Sequence, residues 1–110
     1  MVWAQEAATL ERFIRAMNPW PGAWTTVATP DGGTRLRIRV AQAMLVSAPE
    51  TLAAGCGRVL GQGETAAIAV GCAGGALLVR AVQPEGKRVM SAAEFLRGAG
   101  RRYAAHSRWE

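Results

Sequence analysis

Histidine occurs once in this chain, at His106, and cysteine twice, at Cys56 and Cys72, with no Cys-x-x-Cys pair. A structural zinc site needs about four sulfur, imidazole or carboxylate ligands. No metal is therefore expected, and the two thiols read as reduced and structural. No apolar run approaches the ~20 residues that span a bilayer, and the amino terminus lacks the charged-then-apolar order of a signal peptide. Those absences point away from membranes and towards a soluble, intracellular protein. No Ser, Cys or carboxylate arrangement can be assembled around His106, so nucleophilic or general-base catalysis has no candidate. Lysine is scarce too: Lys87 is the single one, and twelve of the thirteen cations are arginine, the better bidentate partner for phosphate.

What is present suits one domain with a modest core: 110 residues, half of them apolar and a fifth charged. The net charge of +5 favours a polyanionic partner. Its distribution is uneven, with seven cations and three acids in residues 80–110 against six and five in residues 1–79.

Leu10, Phe13, Ile14 and Met17 recur at the spacing of one helix face, with Glu11 and Arg15 as an i,i+4 pair. The two prolines of Asn18-Pro19-Trp20-Pro21-Gly22 stop that helix near Met17. Ala23 to Thr29 is rich in Trp, Thr and Val, and Pro30-Asp31-Gly32-Gly33 has the turn chemistry to fold it back on Thr34 to Met44. In that second strand Arg35, Arg37 and Arg39 alternate with Leu36, Ile38 and Val40, so period two puts three guanidiniums on one face and three apolar groups on the other. Gly57 to Gln62, Ala66 to Cys72 and Ala76 to Gln83 read as three further strands. Five strands in about sixty residues predict a mainly β fold, a small OB-like Greek-key barrel, whose closure removes exposed edges. Ser91-Ala92-Ala93-Glu94 is a capping box that starts a short carboxy-terminal helix stopped at Gly98. Residues 1–98 are thus expected as the domain, with 99–110 a loosely held polar tail. Trp20 and Trp24 are expected to seal the junction between helix and barrel rather than to stack on bases.

Glu11 to Trp24 (ERFIRAMNPWPGAW) resembles the helix and turn that open the carboxy-terminal domain of the folate-dependent formyltransferases. Val82 to Gly98 (VQPEGKRVMSAAEFLRG) resembles the methionyl-tRNA formyltransferases in particular, at the spacing from the first block that the family has. Val2-Trp3 is similar to the end of the segment joining the two domains. The chain departs from the family at Cys56-Gly57, where Pro-Gly is usual, at Arg88, where a second lysine is usual, and after Gly98.

The resemblance implies a barrel that presents basic groups to the inside of initiator tRNA in a bacterial cytoplasm. It also implies a separate amino-terminal catalytic domain that binds 10-formyltetrahydrofolate and carries the residues of formyl transfer. No catalytic residue and no cofactor is expected in this chain, whose partners would be that domain and the tRNA.

The expected phosphate contacts are led by Lys87 and Arg88, flexible cations in a glycine-containing loop just before a helix. Arg35, Arg37 and Arg39 follow, because their same-face spacing of roughly 6.5 to 7 Å is close to the phosphate repeat of a nucleic-acid strand. Arg80 and Arg97 extend the basic excess. An alternative stays open: a domain that braces another folate-dependent formyltransferase, such as one acting on a nucleotide sugar, and touches no RNA.

Overall fold

A computed structural model describes residues 1–46 and 52–110. Helix α1, Ala7–Met17, buries Ala7, Leu10 and Ile14 along one stripe. Phe13, at the margin of that stripe, stays partly exposed. Glu11 and Arg15 form the expected pair. The helix ends where the sequence placed its stop. There the Asn18 side chain donates to the carbonyls of Ile14 at 2.7 Å and Val40 at 3.0 Å, tying the last turn to the barrel.

Strands β1, Trp24–Ala28, and β2, Arg35–Val46, form the expected antiparallel hairpin. Its loop is organised by Asp31, whose carboxylate accepts from the Gly33 N–H at 2.9 Å and the Thr29 hydroxyl at 2.7 Å. These bonds hold the Asp31 carboxyl below the usual carboxylate range, the Gly33 N–H contributing most. Strands β3, Cys56–Leu60, β4, Ala67–Cys72, and β5, Gly75–Pro84, follow as consecutive antiparallel hairpins. Strand β2 lies beside β5, which completes the Greek-key order. β6, Met90–Ser91, is a two-residue addition to β5.

The tail departs from expectation. Residues 106–109 form a strand, β7 (His106–Trp109), inserted between β1 and β3, so that the barrel closes through six strands in the order β2, β1, β7, β3, β4, β5 and back to β2. Tyr103 and Trp109 are buried. The segment looked loose because its cations dominate its composition, yet His106 and Arg108 face outward while Ser107 and Trp109 face inward. A four-residue strand carries too short an alternation to be recognised alone.

Within the barrel, Val27, Ile38, Val40, Ile68, Leu77 and Val79 are wholly buried. Trp3 and Trp109 meet edge to face, centroids 5.8 Å apart, and the Trp3 indole donates to the Thr25 hydroxyl at 3.0 Å. Helix α2, Ala92–Arg97, is capped by the Ser91 hydroxyl, which accepts from the Glu94 N–H at 3.0 Å. Only this half of the expected capping box forms, because the Glu94 carboxylate turns to Arg88 instead. Both cysteines are free thiols, Cys56 exposed and Cys72 buried, and burial pushes the Cys72 thiol up.

Candidate functional site

The pairing of β1 with β2 sets Trp24, Thr26 and Ala28 opposite Arg39, Arg37 and Arg35. Trp24, Thr26 and the three arginines lie on the outer side of the hairpin, since Ile38 and Val27 of the same strands point into the core, while Ala28 at the strand end is wholly buried. The three arginines then meet different fates. Arg35 is exposed and pairs with Glu110 at 2.7 Å. Arg37 is exposed, pairs with Glu85 at 2.8 Å, and lays its guanidinium over the Trp24 ring, 4.4 Å from the centroid.

Arg39 is only 9% exposed. It donates to the Gln83 side-chain carbonyl at 2.8 Å and to the Asn18 side-chain carbonyl. Gln83 in turn donates to the Lys87 carbonyl at 2.8 Å. Arg39 therefore ties the end of α1 to the loop that carries Lys87 and Arg88. A buried cation held by two neutral acceptors positions its neighbours.

The loop Glu85 to Arg88 hangs on the near end of β2, with the Glu85 N–H bonded to the Arg37 carbonyl at 3.0 Å. Lys87 and Arg37 are thus brought to one surface. Lys87 is exposed and, among the described residues, is in no ion pair. Arg88 turns towards α2 and pairs with Glu94.

Two expected cations stand on other ground. Arg80, on β5, donates to the Met44 sulfur at 3.6 Å, a weak acceptor, and lines an open groove of about 640 Å³ with Gln42, Glu64, Leu78 and Ser91. Arg97 pairs with Glu64 of that groove at 2.9 Å. Every one of these ion pairs is substantially solvent-exposed, so each contributes about 0 to 1 kcal/mol and yields readily to a competing anion.

The tryptophans of the proline turn separate. Trp24 is half-buried beneath Arg37, but Trp20 is 84% exposed, contrary to the sealing role expected of both. Pro19 and Pro21 turn its side chain outward, while Ala23 and Trp24 occupy the junction instead. Asn18 and Gln83 are the site residues that sequence reasoning missed. Neutral amides at a helix end and before a loop carry no signal that they share one guanidinium.

Residues 1–100 match the family described as formyl transferase, C-terminal domain. The chain belongs to this family. It is 44% identical to the methionyl-tRNA formyltransferase of Myxococcus xanthus over 96 residues, 87% of this chain and 27% of that protein. It is 42% identical to that of Symbiobacterium thermophilum over 98 residues, 89% of this chain and 28% of the relative. With the enzyme of Thiobacillus denitrificans the identity is 43% over 107 residues, 96% and 31% of the two chains. The chain therefore spans less than a third of the length of these relatives. The likeness read from Glu11–Trp24 and Val82–Gly98 to the methionyl-tRNA members is borne out.

In this formyltransferase carboxy-terminal domain His106 is exposed on β7. Among the described residues no group of three or more His, Cys, Asp and Glu stands together, and no helix is long and apolar enough to cross a membrane. The contrast between Arg39 and Arg37 is open to measurement. An Arg39→Met chain should lose about 2 kcal/mol in urea unfolding, because the side-chain carbonyls of Asn18 and Gln83 lose a charged donor. Arg37→Met should lose less than about 1 kcal/mol. Equal losses would remove the distinction between a positioning and a surface arginine.

Proposed function

We propose that this chain is the tRNA-binding carboxy-terminal domain of a bacterial, cytoplasmic methionyl-tRNA formyltransferase, which formylates the amino group of initiator Met-tRNA from 10-formyltetrahydrofolate. Formyl transfer belongs to a catalytic domain beside it, and no step of that chemistry is assigned to residues of this chain. Its own part is to hold the tRNA backbone so that the acceptor end reaches the catalytic domain. The observation that carries this reading is the placement of the Lys87 loop against the Arg37 end of β2, in a chain whose relatives bear that enzyme's name.

Lys87, Arg88, Arg37 and Arg35 form the phosphate-facing set, with Arg80 and Arg97 as an outlying pair. Arg39 supports them from beneath. Affinity from such a set is sequence-tolerant and falls steeply with salt, since each phosphate contact releases condensed counterions.

One observation favours the second reading, a bracing domain of another folate-dependent formyltransferase. Arg35, Arg37, Arg88 and Arg97 each face a carboxylate, so the surface is a mosaic of charges rather than an unbroken basic strip. The exposure of those pairs leaves the arginines recruitable by phosphate.

The decisive experiment is fluorescence anisotropy of initiator tRNA with the wild-type chain and a Lys87→Ala/Arg88→Ala variant across a range of salt. The variant should bind about 1 to 3 kcal/mol more weakly, with the slope of log K against log salt reduced by about two and the melting temperature almost unchanged. An elongator tRNA should behave similarly. Failure of the wild-type chain to bind tRNA at low salt would favour the bracing domain.

A further inference from the structure

Lys87 is exposed, yet both polar groups of its backbone are bonded back to β5. Its N–H bonds the Pro84 carbonyl at 2.9 Å, closing a turn in which Gly86 takes a φ of 81°, the left-handed conformation that favours glycine. Its carbonyl accepts from the Gln83 side-chain amide at 2.8 Å. The turn is also tied to β2, where the Glu85 N–H bonds the Arg37 carbonyl at 3.0 Å.

The Gln83 amide is itself held from its other end. Its oxygen accepts from Arg39 Nε at 2.8 Å, and the same guanidinium donates to the Asn18 side chain, whose amide bonds the carbonyls of Ile14 and Val40. An amide whose oxygen is held by a cation has the direction of its NH2 group fixed as well. Asn18, Arg39, Gln83 and Lys87 thus stand in series from the last turn of α1 to an exposed loop. Taking a guanidinium out of water onto neutral acceptors costs desolvation that hydrocarbon packing would avoid. Joining β5 to β6 does not call for that cost, since the Pro84–Lys87 turn and the Glu85 bond already make the connection. What the series adds is a fixed backbone beneath the Lys87 side chain and at the entry to Arg88. A loop ordered before its ligand arrives removes that ordering entropy from binding.

We infer that Gln83 is a positioning residue for phosphate: it holds the backbone of Lys87 so that the Lys87 and Arg88 side chains meet the tRNA from a preset loop. The role rests on the reading of the chain as a tRNA-binding domain. It gives a neutral residue that touches no phosphate control over the affinity of two cations that do.

The test measures initiator tRNA binding to the wild-type chain, Gln83→Met, Lys87→Ala/Arg88→Ala and the combined variant across a range of salt, with melting temperatures alongside. Gln83→Met should bind roughly three- to tenfold more weakly, with the wild-type salt slope because every cation remains. In the Lys87→Ala/Arg88→Ala background the same substitution should change affinity by less than about twofold, since the cations it positions are gone. Hydrogen exchange on the wild-type chain supplies a check that needs no variant to fold: the Lys87 amide should exchange at least about tenfold more slowly than an unstructured one. Exchange at the unstructured rate overturns the preset loop. An equal loss in both backgrounds makes Gln83 a general support of the fold and overturns the role. Wild-type binding that is weakened in Lys87→Ala/Arg88→Ala but unmoved in Gln83→Met overturns the role and leaves the phosphate reading standing. A wild-type chain that binds no tRNA at low salt removes both together.

Discussion

A chain ending at Ala105 should fail to fold cooperatively, with a broad thermal transition and association in size-exclusion chromatography. The deleted residues include β7, which closes the barrel by pairing with β1 and β3. Val27 pairs with Trp109 and Ala28 with Arg108; Thr26 and Glu110 exchange backbone bonds of 3.1 and 2.8 Å; the Trp109 N–H reaches the Gly55 carbonyl at 2.6 Å. Without β7, two strand edges in an apolar chain become open templates for pairing with other copies. The hydrophobic loss is comparably severe. Trp109 is 3% exposed, packs on Trp3, and lies so close over Gly57 that a Cβ there would sit 2.5 Å from its indole nitrogen.

Trp109→Ala alone should cost about 3 to 5 kcal/mol, a large part of the roughly 5 to 15 kcal/mol that holds a domain of this size together. Urea unfolding of the point variant and thermal unfolding of the truncated chain provide the measurement. A truncated chain with the wild-type melting temperature would mean that β7 is dispensable and the earlier picture of a loose tail correct.

The second large effect is expected at Phe95. Its ring is wholly buried under α2 and stacks on Tyr103 with centroids 6.2 Å apart and planes 5° from parallel. Gly100 lies against it, such that a Cβ at that position would fall 2.3 Å from the ring. Phe95 therefore joins α2, the 3-10 turn Arg101–Tyr103 and the barrel, and its loss would leave a cavity that short elements cannot collapse to fill. Phe95→Ala should destabilise the chain by about 3 to 5 kcal/mol, lowering the melting temperature by roughly 10 to 25 °C. Gly100→Ala should also destabilise it, through overpacking against the same ring. If Phe95→Ala melts within a few degrees of wild type, α2 is not anchored as described.

Several features were legible from local pattern. The i, i+3, i+4 spacing around Leu10 and Ile14 found α1, Pro30-Asp31-Gly32-Gly33 found the hairpin, and alternation along Arg35 to Val40 found the two faces of β2. Ser91 announced the start of α2. Each is a relation among residues within about one turn or one strand, where backbone geometry alone sets the neighbours.

Alternation assigned Arg35, Arg37 and Arg39 to one face but was silent on what lies over each. Arg39 is covered because Asn18 and Gln83, 21 and 44 residues away, converge on it. Arg35 meets Glu110 across 75 residues and Arg37 meets Glu85 across 48. The same limit applied to the tryptophans, since two indoles flanking one turn look alike until the tertiary structure lays Arg37 over one and leaves the other exposed.

The sequence by itself determined five of the strands and both α-helices, that the carboxy-terminal third is cationic, and which family the chain resembles, because these follow from side-chain period, composition and local motifs. The tertiary structure alone decided that a sixth strand closes the barrel, that Arg39 is interior while Arg37 is exposed, and that Trp20 stands outside. Those outcomes depend on which distant segments share a surface, and that is settled by the joint packing of the whole core rather than by any stretch of chain.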